Sequence, residues 1–432
     1  MNLFIKKSKI MGIVAVPGSK SHTIRGIVAA MNAEKSDKFT HLEGVLKSAD
    51  TLSVLHAVEK LGCQVRETKD SFYIQGADKS RKYGKIELDL GNSGTGMRLL
   101  TASLSLLDGE FTIDGDSSLR TRVMGPLLDS LNELGAVTTS TGNSYAPLSV
   151  KGKLQGGKCT TSGVTSQFLS ALLFATPLAS NKSVIDLEFL NEAPYVGITL
   201  GWLEDLGLKV KSADNLLHFE VPGNQKIEPF HKVIPADFST SLFPAVAALM
   251  LGDEQNGVTI KNLDFNDLQG DKEVFKILEA MGAKIEYGQN VRILGGQKLH
   301  GGVFDINKVP DALPILSVLA ATLEGETTEL VNVAQARLKE TDRIACMTAE
   351  LRKMGAEITE LSDGMIIKGT KLHGCMDLES YDDHRIGMAL AIAAMTCDEE
   401  SMVKNIECAA VTYPDFVADF IAMGANFRLG NK

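Results

Sequence analysis

Apolar and polar positions along this chain follow a long rhythm. Short, almost wholly apolar segments begin near Ser21, Gly94, Ser166, Ser239, Asp311 and His384, at steps of 73, 72, 73, 72 and 73 residues. The 432 residues divide into six lengths of 72, the mark of a repeated supersecondary unit. Segments such as MRLLTASLSLL (97–107), LSALLFATPLA (169–179) and LPILSVLAATL (313–323) are apolar around most of a helical circumference. That pattern predicts helices buried on nearly all sides. Between them runs an amphipathic helix that closes on a glycine, as in LLDSLNELGA (127–136), VFKILEAMGA (274–283) and MTAELRKMGA (347–356). The closing glycines are Gly62, Gly135, Gly207, Gly282, Gly355 and Gly424, each placed to end a helix with positive φ.

After every such glycine except the last, the chain reads as a hairpin. Ala356–Thr359 and Gly364–Ile367, for example, are two short alternating strands around Ser362-Asp363. One unit is therefore strand, buried helix, strand, amphipathic helix, hairpin. Six βαβαββ units make an α/β protein, most simply two lobes of three with the apolar helices inside and the sheets outside.

Composition narrows the field. A chain that is 44% hydrophobic and 23% charged is globular, and its length calls for more than one domain. The 44 basic residues are outnumbered by 54 acidic ones, without basic runs, so nucleic acid is not an expected partner. The six cysteines form no C-x-x-C pair, which argues against a zinc ribbon or a disulfide scaffold. The opening MNLFIKKSKIMGIVAV has no signal-peptide pattern, and no run reaches 18 apolar residues. A cytoplasmic enzyme acting on small molecules is expected, without a membrane partner and as a monomer.

The chemistry gathers where the apolar helices begin. These starts read Lys20-Ser21-His22-Thr23-Ile24-Arg25, Asn92-Ser93-Gly94-Thr95-Gly96-Met97-Arg98, Thr165-Ser166-Gln167, Asp237-Phe238-Ser239, Pro310-Asp311-Ala312 and Asp383-His384-Arg385. Ser, Thr and Asp at such places are first of all caps, and about half of these residues need no other explanation. Arg25, Arg98 and Arg385 are not caps. An arginine in the first turns of a buried helix opposes the dipole and calls for an anion. Two further basic clusters, Leu119-Arg120-Thr121-Arg122 and Arg337-Leu338-Lys339-Glu340-Thr341-Asp342-Arg343, precede the second and fifth amphipathic helices. Gly18-Ser19-Lys20-Ser21 is not a Walker loop, because Gly12 and Gly18 enclose five residues instead of four. Gly91-x-x-Gly94-x-Gly96 likewise misses the dinucleotide spacing.

Seven segments in order carry a resemblance. PGSKSHTIR (17–25), GNSGTGMR (91–98), SLRTRVMGPL (118–127), TSQFLSALL (165–173), PDALP (310–314), RLKETDRI (337–344) and YDDHRIGMAL (381–390) together resemble the 5-enolpyruvylshikimate-3-phosphate synthases. The resemblance implies the two-lobed enolpyruvyl transferase fold. One lobe would span residues 19–236, the other residues 1–18 and 237–432, with the active site in the cleft between them. It implies transfer of the enolpyruvyl group of phosphoenolpyruvate to the 5-hydroxyl of shikimate 3-phosphate, with release of phosphate and without a metal or organic cofactor.

Carried over residue by residue, the resemblance places Lys20, Gly94, Arg122, Gln167, Arg343 and Arg385 at phosphoenolpyruvate. It places Ser21, Arg25, Thr165, Ser166, Gln167, Tyr195, Asp311, Gln335 and Lys339 at shikimate 3-phosphate. Asp311 is the implied base at the acceptor hydroxyl and Glu340 the implied proton donor to the methylene carbon, with Lys20 beside them. Five positions depart from the family pattern, among them Gln335, which stands for an asparagine at the acceptor. Glu192 stands where a serine usually meets the shikimate phosphate, and Val411 where many members have a lysine. Leu99 and Val123 replace prolines found in many relatives. Transfer to UDP-N-acetylglucosamine is disfavoured because residues 111–124 contain no cysteine. Transfer to another hydroxylated acceptor and a non-catalytic anion-binding role are the remaining alternatives.

Overall fold

The computed structural model describes residues 1–142 and 144–430. The chain divides into two compact units. One is contiguous, Gly18–Pro235; the other combines Met1–Pro17 with the chain from Ala236 onward. Among the described residues there are six four-stranded sheets, three in each unit. The sheet of strands Lys82–Asp89, Asp108–Asp114, Val137–Thr141 and Tyr145–Lys151 shows the common plan. Its first two strands are parallel and are joined through helix Gly94–Leu104, and the last two form an antiparallel hairpin.

Each unit has its own core, and the apolar helices fill it. In the contiguous unit these are Lys20–Asn32, Gly94–Leu104 and Ser166–Ala175; in the other, Phe238–Leu251, Leu313–Ala321 and His384–Ala394. Ile24, Leu100, Leu172, Val246, Leu316 and Leu390 have at most 1% of their surface exposed. The amphipathic helices bury one face only. In Glu273–Ala280, Val274, Phe275 and Leu278 are buried, whereas Lys276 and Glu279 are exposed. The six glycines that follow these helices all have positive φ, from 73° to 111°, which stops the helix and turns the chain into the next strand.

Two strands do not stay with the helices they precede. Gly12–Ala15 leads into helix Lys20–Asn32, yet it pairs parallel with Val258–Lys261 in the other unit's sheet. His231–Val233 leads toward helix Phe238–Leu251, yet it pairs parallel with Thr40–Glu43. The sixth repeat has no hairpin partner after Gly424. Strand Asn2–Lys6 takes that place, lying between Ser401–Lys404 and Asn426–Gly430. Among the described residues no helix is long and apolar enough to cross a membrane.

Candidate active site

Three of the six apolar helices are capped by their own side chains: Thr165 accepts from Gln167 N–H, Asp237 from Thr240 N–H, and Asp383 from Arg385 N–H. The helices starting at Lys20 and Gly94 have no side-chain cap. The hydroxyls of Ser19 and Ser93, which precede them, are buried with no hydrogen-bond partner among the described residues. Two buried helix starts in the contiguous unit therefore lack the acceptor that such starts normally carry.

The buried arginines of this unit rest mainly on neutral groups. Arg25, 1% exposed, donates from Nε to Thr199 Oγ1 at 3.0 Å, from Nη1 to the Ser21 carbonyl at 3.1 Å and from Nη2 to the Tyr195 carbonyl at 3.2 Å. No carboxylate lies within ion-pair reach of it among the described residues, and burial pulls its pKa down to about 10. Arg122, also buried, donates to Asn92 Oδ1 and to Ser118 Oγ. Arg98 donates to Gln167 Oε1 at 2.8 Å and to the Val123 carbonyl at 3.3 Å, with its guanidinium over the Phe168 ring. Gly94 lies beneath two of these groups. A Cβ there would sit 2.6 Å from Arg122 Nη1 and 3.0 Å from Arg98 Nη1, so any side chain would push the guanidiniums aside. Lys20, by contrast, has a carboxylate partner, with Nζ 3.2 Å from Asp50 Oδ2.

Glu192 turns into the start of helix Ser166–Ala175. Its backbone is left-handed, with φ 56°, and its side chain is buried. Oε2 accepts from Ser166 Oγ at 2.9 Å and, at 3.4 Å each, from Ser166 N–H and Thr165 Oγ1. The carboxylate thus lies where a helix start attracts a negative charge.

The other unit neutralises its own charges. Arg343, 1% exposed, sits among three carboxylates. Nε and Nη2 donate to the two oxygens of Asp383 at 2.8 and 3.2 Å, Nη1 to Asp311 Oδ1 at 2.8 Å, and Nη2 to Glu340 Oε2 at 2.7 Å. Arg385 Nη2 reaches Asp311 Oδ2 at 2.9 Å and Lys339 Nζ lies 3.9 Å from Oδ1. Burial works against the charge of Asp311, yet Arg385, Lys339 and Arg343 outweigh it and hold the carboxyl below the usual carboxylate range. Gln335 is buried and donates to the Asn307 carbonyl at 2.9 Å.

The structure sorts residues that the sequence left alike. Arg120 is half exposed and clasps Asp114, and Arg337 is held by Asp342 and Glu360. Both are charged turns, whereas Arg122 and Arg343, their neighbours in the same clusters, are buried. The anion that a helix-start arginine calls for is supplied to Arg385 within the chain, by Asp311, whereas Arg25 has none within ion-pair reach among the described residues. Asp50 escaped the sequence reading, and Asp383 entered it only as a residue of a helix start. In Ser48-Ala49-Asp50 and Asp382-Asp383 they look like ordinary helix-start acids, and Asp383 is indeed a cap as well.

A family model described as EPSP synthase (3-phosphoshikimate 1-carboxyvinyltransferase) matches residues 5–420. The chain is 43% identical over 428 residues to the 3-phosphoshikimate 1-carboxyvinyltransferase of Acetivibrio thermocellus, covering 99% of each chain. It is 41% identical over 430 residues to that of Ruminiclostridium cellulolyticum, covering 99% of this chain and all of the relative. Among solved structures, an EPSP synthase from Acinetobacter baumannii is similar over the whole of both chains, with a TM-score of 0.81 and 26% identity.

Proposed function

Because the chain belongs to the EPSP synthase family, we infer that it is a 3-phosphoshikimate 1-carboxyvinyltransferase. It moves the enolpyruvyl group of phosphoenolpyruvate to the 5-hydroxyl of shikimate 3-phosphate and releases phosphate. The observation that carries this reading in physical terms is the pair of buried guanidiniums, Arg25 and Arg122, resting on neutral acceptors. A buried charge without a counter-charge is costly, and an anionic substrate recovers that cost when it binds.

We assign Arg25, Ser21, Thr165, Ser166 and Tyr195 to shikimate 3-phosphate, with Asp311, Lys339 and Gln335. Lys20, Gly94, Arg122, Arg343 and Arg385 go to phosphoenolpyruvate, and Gln167 serves both. Guanidinium groups suit these ligands because they meet a carboxylate or phosphate through two parallel hydrogen bonds. Arg343 already spends four donor contacts on Asp383, Asp311 and Glu340. Its larger contribution is therefore to hold those carboxylates in place.

The reaction first adds the acceptor oxygen to C2 of phosphoenolpyruvate, the methylene carbon gaining a proton and the acceptor hydroxyl losing one. The adduct then breaks its C2–O bond to phosphate and gives up a proton from the new methyl group, which restores the double bond. Asp311 is ionised before substrate arrives and can take the hydroxyl proton. Its weak basicity rises once substrate anions draw Lys339 and Arg385 toward themselves. Glu340 supplies the proton to carbon, which requires its ion pair with Arg343 to loosen; an arriving phosphate competes for that guanidinium. No step calls for a metal or organic cofactor, and the active species is a cytoplasmic monomer.

Glu192 favours a second reading of the acceptor. Its carboxylate holds Ser166 and Thr165, two of the groups assigned to the shikimate phosphate, so an acceptor without that phosphate would leave the arrangement undisturbed. Phosphate release from phosphoenolpyruvate, measured with shikimate 3-phosphate and with shikimate, separates the two. Release with the phosphorylated acceptor is expected. Release with shikimate alone would replace the acceptor assignment, and silence with both would overturn enolpyruvyl transfer to either.

A further inference from the structure

Away from every residue assigned to the reaction, one sheet of the contiguous unit gathers two histidines and a glutamate. Strands Thr40–Glu43 and His231–Val233 run parallel, with His231 opposite His41 and Val233 opposite Glu43. Backbone bonds fix that register at both ends, from His41 N–H to the Phe230 carbonyl and from Ile234 N–H to the Glu43 carbonyl. Alternation along a strand then decides the faces. Leu42 points into the core with 0% exposure, so His41, Glu43 and His231 share the outer face.

The donors are close and partly set. His231 Nε2 and Glu43 Oε2 are 3.2 Å apart. Two ligands at zinc distances of 2.0–2.1 Å and a tetrahedral angle stand about 3.3 Å apart, so this pair already has the spacing. One ligand atom from each of the three residues can be chosen so that all lie within 4.8 Å of one another. His41 is stacked between Tyr73, at 4.3 Å, and His231, at 4.6 Å. Its Nε2 is buried with no hydrogen-bond partner among the described residues. The His231 side chain is 55% exposed and has room to turn and close the remaining gap.

We propose that His41, Glu43 and His231 bind a divalent transition ion, zinc above all, that clamps the edge strand His231–Val233 to Thr40–Glu43. Two imidazoles and one carboxylate suit zinc, nickel or copper and not calcium or magnesium, which take oxygen ligands. The open side of the sheet leaves room for water as a fourth ligand. Lys232 points to the other face and pairs with Asp205, and Arg66, which shares the outer face, has its guanidinium over the Phe39 ring. Tyr73 orients His41 by stacking, the part that groups behind the ligands play in metal sites. The clamp is independent of enolpyruvyl transfer.

The test is calorimetric titration of the full chain with zinc alone, paired with thermal unfolding with and without zinc. One equivalent is expected to bind and to raise the unfolding midpoint. His231→Ala and Glu43→Gln, both at exposed positions, should each weaken binding by about ten-fold or more and remove the midpoint shift. His218→Ala, on another sheet of the same unit, should change neither. Unaltered zinc affinity in His231→Ala, an equal loss in His218→Ala, or no binding by the unmodified chain would each overturn the proposal.

Discussion

Arg25 and Arg343 are each about 1% exposed, yet the two units hold them in opposite ways. Burial works against the charge of both. At Arg343 the carboxylates of Asp383, Glu340 and Asp311 overcome burial and push its pKa up; at Arg25 burial prevails and pulls it down. The contiguous unit thus keeps a charge in waiting, whereas the other unit spends its charges on one another. The difference separates two tasks. A guanidinium over hydroxyls and carbonyls is poised to receive an anion, and one among carboxylates is poised to fix the geometry of groups that move protons.

The sharpest break in this comparison comes from the carboxylates. Asp311→Asn and Glu340→Gln should each lower turnover by about 10²–10⁴-fold, read from initial rates of phosphate release. Near-normal turnover in either variant would remove its role in proton transfer. Next in size is the contrast between the arginines. Arg343→Met takes away the guanidinium that pairs with the fully buried Asp383 and should cost about 3–5 kcal/mol of stability in urea unfolding. Arg25→Met strands no carboxylate and should cost far less. It should instead raise the KM for shikimate 3-phosphate, since a hydrogen bond to a charged group contributes about 1.5–3 kcal/mol. Equal destabilisation by the two substitutions would erase the distinction. The smallest effect is expected at Glu192. Glu192→Ser removes a carboxylate that competes with the acceptor phosphate and should lower the KM for shikimate 3-phosphate by about ten-fold or less, the scale of a helix-start charge interaction, with kcat unchanged. An unaltered KM would leave Glu192 as a cap and nothing more.

Much of this was legible before the fold was seen, because apolar helices and closing glycines are local signals. The spacing of Ser21, Gly94, Ser166, Ser239, Asp311 and His384 marks the six helix starts, and Arg122, Arg343 and Asp311 stand in recognisable segments. What stayed hidden depends on distant pairing. Nothing near Gly12–Ala15 shows that it joins Val258–Lys261, and the missing hairpin after Gly424 does not announce that Asn2–Lys6 supplies the partner. Asp50 was equally hidden, since its salt bridge to Lys20 spans thirty positions. Glu192 looked like a misfit because its left-handed backbone, which aims the carboxylate at Ser166, leaves no trace in the neighbouring residues.

In synthesis the strand Asn2–Lys6 precedes its two neighbours in the sheet, Ser401–Lys404 and Asn426–Gly430, by more than the whole of the contiguous unit. The unit spanning Gly18–Pro235 is contiguous and can fold during synthesis, as N-terminal domains generally do. Strand Asn2–Lys6 must wait, unpaired, until Ser401–Lys404 has been made. A nascent chain stalled before Ser401 would hold one finished unit and an orphaned strand, exposed to whatever chaperone or stray sheet edge meets it first.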